Sequence, residues 1–181
     1  MQFRKHQHMK PTIALGGGLI GACAITLIHE SVKNVVPKAP RMDLVGMEAL
    51  ARVMGRSGIM PPRPKKLYAT ALAGDLVSNA FYYSMAGIGS AKNVWTRGAV
   101  LGIAAGLGAL LVPQRMGLLS APAHRSKASQ SMTLGLYVIG GIAAAAAMNW
   151  LHKNSKEYKN AYQNHPYHDS LGMEAGVTYP T

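Results

Sequence analysis

Tyr68, Asp75, Ser78, Asn79 and Tyr82 follow one another at helical spacing, so a single helix face carries all five. One acid among neutral hydroxyl and amide groups is the chemistry of a proton or cation step, in which the carboxylate takes the ion and its neighbours complete the shell. The setting sharpens the point. Leu67 to Ser90, LYATALAGDLVSNAFYYSMAGIGS, holds no other charge and is long enough to cross a bilayer. A carboxylate at the centre of a membrane helix costs about 2.5–3.5 kcal/mol to insert, so it must find partners or a proton. Asp75 therefore has two uses: an ion-handling group with Tyr68, Ser78, Asn79 and Tyr82 beside it, or a hydrogen-bonding contact to another helix or subunit. A lone acid with no second intramembrane charge makes a poor relay, which favours the second use.

Other reactive constellations are thin. His29 and Glu30 are adjacent and so point different ways on a helix; with Asp43 and Glu48 they form the one polar set that could gather at a membrane boundary. No HExxH or ExxH spacing supports a metal there. His6, His8, His152, His165 and His168 would share one side in a four-span topology, where adventitious metal binding is expected ahead of a dedicated site. There is no GxSxG, Walker loop or CxxC, and Gly16-Gly17-Gly18 lacks the lysine a phosphate loop needs. No catalytic residue, metal or cofactor is expected, and the chain reads as a non-enzyme.

The elements that would hold Asp75 follow from where charge is missing. Only 14% of the 181 residues are charged and 20 are glycine, a composition suited to close helix packing in lipid. The 19 Lys and Arg, giving a net charge of +12, fall almost wholly outside the apolar runs. That placement suits loops against anionic lipid and argues against nucleic acid as a partner. Four runs emerge, about 11–29, 67–90, 98–113 and 131–151, giving an all-α, integral membrane four-helix bundle within 11–151. A basic leader, 1–10, precedes it and a polar tail, 152–181, completes the chain. Ile20-Gly21-Ala22-Cys23 resembles a lipobox, but the apolar run continues to Ile28, which favours a retained first helix over a processed signal.

Between the first two runs, 31–66 is basic and proline-rich. A short amphipathic helix is expected there, capped by Asp43, with Leu44, Met47, Leu50 and Met54 on one face and Gly55 or Gly58 to stop it. The third run looks short for a bilayer. Gly17 and Gly21 in the first run, and Gly98, Gly102 and Gly106 in the third, repeat every four residues as small-xxx-small faces for helix packing. With four crossings, 31–66 and 114–130 share one side with eleven Lys and Arg, against eight on the other, which makes the loops cytoplasmic. Short Gly/Ala-rich runs with basic loops resemble those of small bacterial inner-membrane proteins, and that location is the expectation. The expected partners are the bilayer and another protein chain or a second copy. The functional expectation is an accessory or structural membrane subunit; the alternative is a small proton- or cation-coupled carrier built on Asp75.

Overall fold

Proline at a first helical position needs no N–H partner, and two of the long helices begin this way. In a computed structural model describing residues 8–121 and 125–163, α1 runs Pro11–Val35, α2 Met42–Arg56, α3 Pro64–Ser84, α4 Val94–Arg115 and α5 Lys127–Gln163. The described residues are all-α, with two short 3-10 turns, Met85–Gly87 and Ala91–Asn93, between α3 and α4. Residues 1–7 of the leader and the tail from 164, including His6, His165 and His168, lie outside the described residues.

Three helical segments, Pro11–Val35, Ala91–Arg115 and Lys127–Tyr162, are long and apolar enough to cross a membrane, the mark of a multi-pass membrane protein. Three expectations need correcting. The third segment is not short, because the helix starts at Val94 and carries Trp95, Thr96 and Arg97, and Pro113 falls in its last turn without ending it. Conversely, Leu67–Ser90 is not one apolar span: α3 stops at Ser84, and Asp75, Ser78, Asn79 and its tyrosines keep it below the other three in apolarity rather than in length. Nor does Asp43 cap α2. The cap position is Arg41, no side chain bonds there, and Asp43 lies inside the first turn.

Two helices end through glycine. At the end of α2, Gly58 has φ +71°, the Ile59 N–H donates to the Met54 carbonyl at 2.9 Å and the Gly58 N–H to that of Gly55 at 3.1 Å. Gly117, with φ +69°, does the same after α4, with Leu118 N–H on Pro113 and Gly117 N–H on Gln114, both at 2.9 Å. Both are Schellman closures, which need a left-handed residue that only glycine adopts without strain.

Packing is unequal around the molecule. α5 lies along α4 on one side and α1 on the other, α1 also carries α3, and α3 scarcely touches α4 or α5. Glycines set the close approaches. A Cβ on Gly98 would fall 2.5 Å from the Gly141 carbonyl oxygen, one on Gly102 2.7 Å from the Val138 Cα, and one on Gly106 2.8 Å from the Leu134 side chain. Gly17 and Gly21 face Ala144 and Met148 of α5 in the same way. The core that results is small: Ile13, Ile25, Tyr83, Val94, Tyr137 and Met148 with their alanines. Large apolar side chains remain outside, among them Leu19 and Leu27 on α1, Phe81 on α3, Val100 and Leu107 on α4, and Ile142 on α5. An apolar exterior of that extent is what a lipid-facing surface looks like.

Candidate functional site

The helix face read from the sequence divides into separate places. The Asp75 carboxylate lies within interaction range of the Asn79 side chain one turn on. Asp75 and Ser78 are exposed, Asn79 is buried, and the Ser78 hydroxyl is turned back to the Gly74 carbonyl at 2.7 Å. The Tyr82 hydroxyl crosses to α4 and donates to the Leu101 carbonyl at 3.0 Å. Tyr68 lies at the opposite end of α3, where its hydroxyl donates to Glu30 Oε2 at 2.5 Å. Asp75 and Asn79 are thus brought together, while Tyr68, Ser78 and Tyr82 bond elsewhere.

Tyr83, adjacent to Tyr82 and edge-on to it, is fully buried. Its hydroxyl reaches α5 and donates to the Tyr137 carbonyl at 2.9 Å. Asp75 is close enough to Tyr83 and Tyr137 to act on both electrostatically. The Tyr137 ring in turn meets the buried His29 ring edge-on, centroids 5.7 Å apart. His29 Nε2 has no hydrogen-bond partner among the described residues.

A second polar centre joins α1, α2 and α3. Lys33 Nζ stands 2.6 Å from Glu30, 3.5 Å from Asp43 and 3.1 Å from the Tyr68 hydroxyl, with its charge 4.8 Å from the Tyr68 ring centre. Arg41 holds Asp43 through two bonds, Nε to Oδ1 at 2.9 Å and Nη2 to Oδ2 at 2.8 Å. Burial pushes the Asp43 carboxyl up, but the Arg41 bonds and the Lys33 charge outweigh it and hold it below the usual carboxylate range. Two acids and two bases leave this centre neutral, a joint rather than a reservoir of charge. Of the set His29, Glu30, Asp43 and Glu48, only the middle two meet through Lys33. No grouping of three or more His, Cys, Asp or Glu suited to a metal occurs among the described residues.

Glu48 makes a third contact. Its two oxygens accept the backbone N–H groups of Leu119 and Ser120 at 2.9 Å each, while Arg52, one turn on, donates to the Met116 and Gly117 carbonyls. α2 is therefore clasped to the α4–α5 connection by an acid and a base reading opposite backbone groups. The Ser120 and Leu119 N–H groups stabilise the charged form and hold the Glu48 carboxyl below its ordinary value. A depressed carboxylate contributes stability that is complete above the unfolded pKa, near 4.3, and is lost as pH falls through the folded one. Amide exchange at Leu119 and Ser120, referred to the intrinsic rate at each pH, should accordingly show protection that fades below about pH 4. In Glu48→Ala that protection should already be weak at pH 7, and a wild-type level there would show that the clasp does not hold.

The remaining cleft lies where α3 and α4 part. It is an open depression of about 220 Å³ beside Met85, Thr96, Arg97, Val100 and Leu101, below the roughly 300 Å³ at which ligand pockets begin. Arg97 is committed there to the Ala86 and Ser90 carbonyls, both at 2.7 Å. Compared with known protein families, curated proteins and solved structures, the chain matches none.

Proposed function

We propose that this chain is an accessory or structural subunit of a membrane assembly, in which α1, α3, α4 and α5 cross the bilayer as a four-helix bundle and α2 lies in the interface. Two levels of charge support the crossing. Lys10, Lys92, Arg97 and Lys153 mark one level, with the exposed Trp95 and Trp150 among them. Glu30, Lys66, Arg115 and Lys127 mark the other, about 27–39 Å away by the rise of α1, α4 and α5, against a hydrocarbon core of about 30 Å. Between the levels the only charged side chain is Asp75. The glycine contacts of α4 with α5, and of α1 with α5, fit small-xxx-small packing. The lysine and arginine excess at the α2 end favours that end for the cytoplasm, and an inner bacterial membrane suits the composition.

The observation that carries the subunit reading is the exposure of Asp75 in the middle of an apolar helix. It is exposed on α3 beside Val77 and Ser78, where α4 leaves α3 uncovered, so a neighbouring helix can reach it from outside this chain. A second transmembrane chain, or a second copy, would satisfy it. Purification in mild detergent tests this directly: a stoichiometric partner or homo-oligomer should be recovered. Asp75→Ala should weaken that association about tenfold, the 1–2 kcal/mol range of an interhelical polar bond, with little change in melting. An unchanged assembly together with lost proton or cation flux in liposomes would instead favour the carrier reading, for which the nearness of Asp75 to Tyr83 and Tyr137 speaks.

A further inference from the structure

We infer that the α2 end of the molecule binds anionic phospholipid headgroups through the connection from α2 to α3; this rests on the membrane reading above. The acids at this end are all occupied. Glu30 is held by Lys33, Asp43 by Arg41 and Lys33, and Glu48 by two backbone N–H groups and Arg52. The surplus is wholly positive, and it is concentrated where the chain passes from α2 into α3. Arg56, Arg63, Lys65 and Lys66 are exposed there, and none forms an ion pair among the described residues.

The same connection presents apolar side chains to the outside. Gly58 turns the chain out of α2 and leaves Ile59 54% and Met60 88% exposed, between Arg56 on one side and Arg63 on the other. Pro61, Pro62 and Pro64 stiffen the chain between Met60 and α3, so the segment keeps this outward form at little entropic cost. Two apolar side chains ringed by four cations match a bilayer boundary: the apolar pair enters beneath the headgroups and the cations meet phosphates around it. A purely aqueous acidic partner would account for the cations and leave Ile59 and Met60 unexplained. Arg115, Arg125 and Lys127, also exposed at this end, extend the field along the membrane plane.

The test uses the full chain in neutral detergent, titrated with phosphatidylglycerol or phosphatidylcholine, with bound lipid counted by native mass spectrometry. Phosphatidylglycerol should be preferred. R63Q/K65Q/K66Q, changed only at exposed positions, should lower that preference roughly a hundredfold at about fivefold per charge. The matched variant K153Q/K156Q/K159Q, at the far end of α5, should leave it unchanged. Ile59→Ser with Met60→Ser should weaken both lipids alike. Equal binding of the two lipids, an unaffected R63Q/K65Q/K66Q, or full competition by inorganic phosphate would overturn the proposal. So would an acidic protein whose co-purification is lost in R63Q/K65Q/K66Q. An alkaline carbonate wash separates the two failures: a chain that stays in the membrane without lipid preference sinks this inference alone, and a chain released by the wash sinks the membrane reading with it.

Discussion

Gly98→Leu should separate α4 from α5 and cost at least about 3 kcal/mol of bundle stability, the upper range for overpacking. The obstacle is backbone. Even a single Cβ at Gly98 would lie 2.5 Å from the Gly141 carbonyl oxygen and 2.8 Å from the Ala145 Cβ. A flexible side chain could swing aside from such an intrusion, but a helical carbonyl moves only with its helix. Gly102 and Gly106 continue the same line of contact, so α4 cannot tilt away at one position without opening the others. Gly108 supplies the control, because nothing lies within 4 Å of a Cβ built there. Gly108→Ala should be neutral or stabilise by up to about 1 kcal/mol through helix propensity. Thermal melting of the two variants in one detergent compares them, and equal melting temperatures would mean that the α4–α5 contact is looser than this geometry requires.

The second large effect belongs to Asp43. Asp43→Ala should cost about 3 kcal/mol, the lower end for breaking a buried ion pair, because Arg41 keeps access to water while Lys33 does not. The Asp43 side chain is 6% exposed and Lys33 13%, so the substitution leaves an ammonium group enclosed with Glu30 as its remaining acid. Arg41→Gln should cost less, about 1 kcal/mol, since its side chain is 41% exposed. The pH dependence has a definite sign. A carboxyl held below its unfolded value contributes its full share at neutral pH and loses it as pH falls through the folded-state pKa, below about 3.9. Limited proteolysis of the connections flanking α2 at pH 7 reports the loosening; protection equal to wild type in Asp43→Ala would remove the joint from the account.

Much of the fold was legible from residue spacing, and the rest fails for identifiable reasons. Missing charge located the apolar stretches, since each lies between basic clusters whichever way the helices pack. Their ends were harder. Trp95, Thr96 and Arg97 look like a loop because they are polar or amphipathic, yet a helix that leaves a bilayer passes through such residues without unwinding. At α3 the error ran the other way, because Met85 to Ser90 stays apolar while the backbone turns through a 3-10 segment to Gly89 at φ +91°. Helical spacing put Asp75, Asn79 and Tyr82 on one side of α3 but could not say which part of that side meets α1 and which is left open. The Lys33 joint is not legible in the sequence because its members come from three helices and, apart from Glu30 with Lys33 and Arg41 with Asp43, the bonded pairs are separated by 10 to 38 residues. One clue is present: Lys33 and Tyr68 stand beside the facing ends of the first two apolar stretches, and Asp43 lies in the connection between them.

α5 spans 37 residues, about 55 Å of continuous helix, and its packing against the core reaches Leu151. The remainder rises about 20 Å beyond the tryptophan level, more than twice the roughly 8 Å over which physiological salt lets charges feel one another. On the membrane reading proposed above, Lys153 stays at the headgroup level, while Lys156 and Lys159, about 9 and 14 Å past Trp150, climb beyond that range. Because the helix is continuous, any tilt of α5 against α1 or α4 would displace its outer end in proportion to that length.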